Sequence, residues 1–219
     1  MRLRRVGAHI VLEDAGVSLG GQTVLRGLTL SLAPGEVVGI AGPNGSGKTT
    51  LLRLVATLVR PDRGAGRVLG AALGTSEVYD VRRHIGLIGH TPAAIGELSL
   101  RENLEHATRL TGGDPARIEP ALRVVGLDEA ADRKVEASSH GMLRRTEAAR
   151  LLITEPRLLL LDEAFSGLDV AAQELVDALV SRTIGTGGSV LMVSHDARHL
   201  GERSGRVLSL TAGRLEPAP

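Results

Sequence analysis

The chain has no cysteine among its 219 residues, which excludes disulfides, thiolate-bound zinc and thiol nucleophiles. Aromatic side chains are almost as scarce: tryptophan is absent, and Tyr79 and Phe165 are the single tyrosine and phenylalanine. Neither sign of charge dominates. With 26 basic against 25 acidic side chains the net charge is +1, so composition gives no reason to expect nucleic acid as a partner. Hydrophobic residues reach 42%, yet no run approaches the ~18 consecutive apolar residues of a membrane span. The densest run, residues 158–161 with their neighbours, is bounded by Arg157 and Asp162. The basic start Met1-Arg2-Leu3-Arg4-Arg5 is followed by neither an apolar core nor a small-residue cleavage site, so no secretory signal or anchor is expected and residence in the cytosol follows. Lysine is the last scarcity. Of the 26 basic residues only Lys48 and Lys134 are lysine and 24 are arginine, so a retained lysine asks for a chemical reason.

What is present is enough for one or two compact domains with a sizeable core, with alternating strand and helix patterns of an α/β fold. Residues 9–32 carry short alternating apolar runs either side of Gly20-Gly21, which suits antiparallel strands joined by a tight turn. Val37-Val38-Gly39-Ile40 is a continuous apolar run of buried-strand type, followed by a glycine-rich segment and a helical stretch over 48–59. Residues 61–70 read as a turn-rich connector and 85–88 as another short strand. Between 98 and 152 the period becomes helical, broken at Gly112-Gly113-Asp114-Pro115, as in an inserted helical subdomain. Strands are expected again at 158–161 and 190–193 with a helix over 170–183 between them, and residues 207–215 read as a hairpin turning at Ala212-Gly213.

Gly42-Pro43-Asn44-Gly45-Ser46-Gly47-Lys48-Thr49, with Thr50 after it, fits the phosphate-binding loop G-x-x-x-x-G-K-[ST] between a strand and a helix. The glycines let backbone N–H groups converge on phosphate oxygens, the helix start adds a positive dipole, and Lys48 supplies a point charge at the β/γ-phosphates. Thr49 is positioned to ligate Mg2+ through its hydroxyl. Leu158-Leu159-Leu160-Leu161-Asp162-Glu163 is an apolar strand ending in two carboxylates, with Asp162 placed for Mg2+ and Glu163 for general-base work on an attacking water. Kinases and GTPases carry the same pair of motifs. His9, His84, His106 and His199 show no metal-ligand spacing, and Arg144, Arg145 and Arg150 read as a solvated helix face.

Three further segments discriminate. Ser138-Ser139-His140-Gly141-Met142-Leu143-Arg144-Arg145 resembles the signature of ATP-binding cassette (ABC) ATPases in an S-x-G-M variant, Ser166-Gly167-Leu168-Asp169 resembles their D-loop, and His195 stands where their switch histidine stands. The order from Gly42 to His195 resembles that family over nearly the whole chain. The resemblance implies a P-loop ABC ATPase fold: an antiparallel β subdomain over about 1–35, a mainly parallel nucleotide-binding core over 36–90 and 156–219, and a helical subdomain over 91–155. It implies ATP and Mg2+ as cofactors, a homodimer or pseudo-dimer with two ATP molecules sandwiched between subunits, ATP contacts from Ser139 and Gly141 of the opposing subunit, and Asp169 among the nucleotide-binding residues. On its own chemistry Ser139 is a good helix N-cap and Gly141 permits close backbone approach.

Departures from the pattern are specific. Leu19 replaces the aromatic that usually stacks on adenine, and His90 replaces the Q-loop glutamine, joining Thr49 and Asp162 as a candidate at the metal site with a charge that responds to pH. Ala164 and Ser138 stand in for the usual proline and leucine without a functional account. The resemblance implies an ATPase at the cytoplasmic face of the cell membrane, driving an exporter whose integral membrane subunits are separate chains. Gly89-His90-Thr91-Pro92 and Glu102-Asn103-Leu104 look like the haem exporter ATPases of cytochrome c maturation, whereas the signature looks like drug, polysaccharide and lipid exporters. A soluble ABC protein of translation or DNA repair would carry two cassettes or a coiled coil, and a small-molecule kinase would leave the signature, D-loop and His195 unexplained.

Overall fold

The computed structural model describes residues 7–167 and 169–218, so the basic start of the chain and Leu168 of the D-loop-like segment lie outside the described residues. The fold opens with β1 (Ile10–Leu19) and β2 (Gln22–Leu32), paired antiparallel across Gly20 and Gly21, whose φ values of 56° and 78° are free of Cβ strain only in glycine. Next come β3 (Val37–Ala41) and α1 (Lys48–Val55). That helix stops at Val55 instead of running to residue 59. Thr57 turns left-handed at φ 62°, the Leu58 N–H bonds back to the Arg53 carbonyl at 2.9 Å, and Arg82 donates to Thr57 Oγ1 at 3.0 Å and to its carbonyl at 2.8 Å.

Residues 61–70 are not a mere connector. They hold β4 (Arg63–Val68), which pairs antiparallel with β1 on the side opposite β2 and is followed by the short β5 (Ala71–Ala72). Two of the glycines that suggested turns, Gly64 and Gly66, are packing glycines, whereas Gly70, at φ 90°, does turn the chain. A Cβ on Gly64 would lie 2.2 Å from the Asp14 carbonyl oxygen, and one on Gly66 would lie 2.7 Å from Leu73 and 2.8 Å from Leu12.

The second sheet adds β6 (Ile85–Ile88), β7 (Leu158–Asp162), β8 (Ser189–Ser194), β9 (Arg206–Thr211) and β10 (Arg214–Pro217), in the order β10-β9-β3-β8-β7-β6. All pairs are parallel except β10 on β9. Every residue of β7 is buried, and successive leucines point to opposite faces. Leu158 and Leu160 pack in one core with Leu191, Val193 and the Leu51, Leu52, Leu54 and Val55 of α1, while Leu159 and Leu161 pack in a second with Val190, Met192 and the remaining helices. At about 1.5–3 kcal/mol for each fully buried aliphatic side chain, this two-sided burial fixes the register of the central strands.

Among the described residues there are six more α-helices: α2 (Val78–Val81), α3 (Leu100–Thr111), α4 (Ile118–Val124), α5 (His140–Thr154), α6 (Val170–Gly185) and α7 (Ala197–Arg203). α3 begins with a capping box: Ser99 Oγ accepts from the Glu102 N–H at 3.1 Å and the Glu102 carboxylate accepts from the Ser99 N–H at 2.7 Å, a bond that lowers the Glu102 pKa. It ends at Gly112 in the left-handed conformation, just before Pro115. No helix among the described residues is long and apolar enough to cross a membrane.

Candidate functional site

Parallel strands bring their carboxyl ends to one edge of a sheet, and here three neighbours, β3, β8 and β7, deliver the loop 42–47, then Ser194-His195, then Asp162-Glu163 to the same place. Together they line a cleft of about 590 Å³. From the loop and α1 come Asn44, Gly45, Gly47, Lys48, Thr49 and Thr50; across it stand Asp162, Glu163, Ser166 and His195, with His90 from the segment after β6 and Val24 from β2.

The loop's glycines are required for two reasons. Gly47, the N-cap of α1, has φ 107°, and a Cβ there would lie 2.8 Å from Leu25 Cδ2; a Cβ on Gly42 would lie 2.4 Å from the Leu210 carbonyl oxygen. Gly45 has φ 79° with open space around it, leaving its backbone accessible. No side chain caps α1, so its first N–H groups remain available to an anion. Lys48 is buried and donates to the carbonyls of Gly42 at 2.7 Å and Pro43 at 3.1 Å, which draws its ammonium back over the loop. It also lies 3.7 Å from Glu163 Oε1.

The two carboxylates are held differently. Asp162 is buried and its Oδ2 accepts from the Thr49 hydroxyl at 2.9 Å, so a hydroxyl and a carboxylate are already side by side. That pair of hard oxygen donors suits Mg2+, which binds through one or two carboxylates and completes its shell with phosphates and water. Among the described residues no cluster of three or more histidine, aspartate or glutamate side chains could hold a metal by itself. Glu163 follows in the left-handed conformation, φ 51°. Its Oε2 accepts from the Ser194 hydroxyl at 2.8 Å and lies 3.1 Å from His195 Nδ1, and its Oε1 accepts from the His195 N–H at 2.9 Å. Glu163 and His195 are therefore hydrogen-bonded to each other, and Lys48 joins them through its ion pair with Glu163.

Other expected residues sit elsewhere. Pro43 and Gly42 lie beneath the cleft as acceptors for Lys48, and Ser46 is buried with its Oγ lacking a partner among the described residues. Leu19 ends β1, 39% exposed and outside the cleft lining, where Val24 is the aliphatic contact. Ser139 caps α5, accepting from the Met142 N–H at 3.2 Å, and Gly141 in its first turn is exposed. Asp169 caps α6, accepting from the Ala172 N–H at 2.8 Å. These three lie on the outer surface, away from the chain's own cleft.

Sequence reasoning missed Val24 and Ser194, which carry no motif, and misread two arginines. Arg144 and Arg150 are not a solvated face. Arg144 donates to the carbonyls of Gly89 and His90, each at 2.5 Å, and Arg150 to that of Leu87 at 2.9 Å; only Arg145 is exposed. The acceptors lie more than fifty residues away along the chain, so no local pattern announces them.

A profile described as "ABC transporter" matches residues 25–166. The chain belongs to this family. It carries the ABC ATPase domain with its P-loop fold, and relatives cover most of it. The daunorubicin resistance ATP-binding protein DrrA3 of Streptomyces coeruleorubidus is 38% identical over 210 residues, covering 94% of this chain and 66% of the relative. The cytochrome c biogenesis ATP-binding export protein CcmA 2 of Cupriavidus metallidurans is 35% identical over 192 residues, 86% of this chain and 90% of the relative. An iron-import ATP-binding protein of Rhodococcus jostii, FbpC 3, is 36% identical and is spanned to only 60% of its length. Among solved structures, a dimeric ATP-binding cassette in a post-hydrolysis state with ADP and Pi superposes with a TM-score of 0.82 at 26% identity, covering 94% of this chain and 96% of that one.

Proposed function

We propose that this chain is the ATP-binding and ATP-hydrolysing subunit of an exporter, working as a head-to-tail pair at the cytoplasmic face of the cell membrane beneath integral membrane subunits on separate chains. The observation that carries this reading is the cleft itself: a glycine loop at an uncapped helix start, a buried lysine, a hydroxyl–carboxylate pair and an oriented glutamate, all from neighbouring strand ends. Glycines 45 and 47 and the start of α1 cradle the phosphates, Lys48 neutralises their charge, and Thr49 with Asp162 would hold Mg2+. Mg2+, if so held, would neutralise charge on the phosphates during transfer. Glu163, with the Ser194 hydroxyl and the His195 backbone donating to its two oxygens, is aimed rather than free to rotate, and it takes the proton of the attacking water. His195, against the same carboxylate, faces the γ-phosphate. His90 reaches the cleft at the position of the family's glutamine and would orient water or metal.

Ser139, Gly141 and Asp169 have no part in their own chain's cleft, and the head-to-tail pair gives them one: the start of α5 from one subunit closes the cleft of the other. The dimeric relative in its post-hydrolysis state supports that arrangement. The groove beside residues 90–102 supports docking of a membrane subunit there.

Export is favoured by the S-x-G-M signature, and the cytochrome c maturation relative, matched over 90% of its length, favours haem as the cargo. A drug-type cargo is the second reading, favoured by the daunorubicin resistance relative that covers 94% of this chain. Deleting the gene and complementing with wild type or Glu163→Gln tests both. Loss of covalent haem attachment to c-type cytochromes, not rescued by the variant, supports haem. Normal cytochromes with increased anthracycline sensitivity select the drug reading, and the absence of both phenotypes rejects both cargoes.

A further inference from the structure

β6 is the outer strand of its sheet, so its free edge exposes carbonyls that no neighbouring strand pairs. The segment that leaves it, residues 89–93, carries His90 into the nucleotide cleft. Both are gripped by one face of α5. Arg144 donates to the Gly89 and His90 carbonyls, Arg150 to the Leu87 carbonyl, and Glu147, between them on the helix, accepts from the Ala93 N–H at 3.2 Å and from Arg144 at 3.0 Å. Glu147 is 4% exposed and Arg144 11%. Beneath the grip β6 packs tightly on the side chains of α5, since a Cβ on Gly86 would lie 2.6 Å from Leu151 Cδ2.

We propose that Glu147 is a positioning residue: with Arg144 and Arg150 it fastens residues 87–93 to α5, so that His90 in the chain's own cleft and Ser139 at the start of the same helix move as one body. The proposal rests on the nucleotide reading of the cleft. A buried ion pair is a poor way to gain stability, because apolar residues of the same volume often do as well or better. What it adds here is geometry. Three backbone carbonyls and one backbone N–H are assigned to named side-chain atoms, which fixes how far the His90 backbone sits from the helix. Burial raises the Glu147 pKa, while the Ala93 N–H and the two arginines pull the other way and favour the carboxylate. Glu147 also lines the groove of about 610 Å³ between residues 93–95, α3 and α5, so it borders both the groove and the segment that reaches the cleft.

The test uses the full chain as Glu147→Ala and, should that variant not fold, the nearly isosteric Glu147→Gln. Amide exchange followed by NMR without nucleotide is expected to speed up about tenfold at Ala93 while Leu51 in α1 keeps its wild-type rate. Steady-state kinetics are expected to show kcat reduced about tenfold with ATP affinity and KM within about twofold, the pattern of a misplaced group rather than a lost binding contact. Unchanged exchange at Ala93, equal acceleration at Leu51, or an unchanged kcat would each overturn the proposal. A wild-type chain that neither binds nor hydrolyses ATP would instead sink the nucleotide reading, and the exchange measurement would still decide the fastening.

Discussion

The cleft and the start of α5 are built from the same kinds of group, yet they are finished to different degrees. In the cleft, Lys48, Asp162 and Glu163 are at most 15% exposed and each is engaged by atoms of its own chain. At the start of α5, Ser139, His140 and Gly141 are exposed, and among the described residues the Ser139 hydroxyl bonds to the helix alone. Preorganised polar groups in a recess can do chemistry, whereas an exposed helix start offers its N–H groups and dipole only to whatever comes to cover it. Under the head-to-tail proposal the chain holds one finished half of a site and one unfinished half.

The sharpest way to break the comparison is to remove chemistry from the finished half without removing binding. Glu163→Gln keeps the shape, its single amide oxygen can still accept from the His195 N–H and its amide nitrogen faces the Ser194 hydroxyl oxygen, but it loses the base, so ATP turnover should fall about 10²- to 10⁴-fold. ATP binding should persist, and sedimentation with Mg-ATP should show a dimer that the nucleotide-free variant does not form. A monomer at saturating ATP with the membrane partner present would contradict the head-to-tail arrangement.

Lys48→Ala attacks the finished half directly. Deleting the ammonium leaves the Gly42 and Pro43 carbonyls without their donor and the phosphates without their charge partner, so hydrolysis should fall about 10²- to 10³-fold and nucleotide affinity with it. Calorimetry with ATP that returned wild-type affinity would take the loop out of the site.

The unfinished half is tested by mixing. Ser139→Ala removes an N-cap worth about 1 kcal/mol and should reduce hydrolysis about tenfold or more through the lost hydroxyl, without weakening ATP binding to the isolated chain. Combined with Lys48→Ala in one solution, it should recover activity, because the mixed dimer has one cleft with an intact lysine facing an intact serine. No recovery on mixing would place the function of Ser139 within its own chain.

How much of this could be read from residues alone follows the distance over which each feature is specified. The loop 42–49 is contiguous, and its strand and helix neighbours announce themselves by period, so the cleft's centre was legible. The central strands were legible for the same reason: four consecutive leucines before Asp162 can be buried only on both faces of a sheet. β4 was not, because Gly64 and Gly66 look like turn residues until β1 is laid against them. Arg144 and Arg150 looked solvated because their partners are backbone carbonyls, which carry no sequence identity. α1 ended early because Arg82, far along the chain, holds Thr57 in the left-handed conformation.

The smallest expected effect concerns where the base of the nucleotide would rest. Leu19 stands where an aromatic would stack, but it lies at the end of β1, 39% exposed, and the aliphatic contact in the cleft is Val24. Neither side chain offers a π-face, while the loop, Lys48 and the Thr49–Asp162 pair grip only the triphosphate, so ATP and GTP should compete nearly equally. Base–aromatic stacking in nucleic-acid proteins is worth about 1–3 kcal/mol, so Leu19→Tyr should tighten ATP binding about fivefold or more if the strand end carries the ring over adenine. Exposure at Leu19 means the change fills solvent rather than core, and thermal stability should hardly move. Calorimetry on both proteins with both nucleotides separates the contributions. Strong ATP preference in the wild type, with no gain from tyrosine, would hand the base to Val24 and its neighbours, and Val24→Ala should then weaken ATP binding where Leu19→Ala does not.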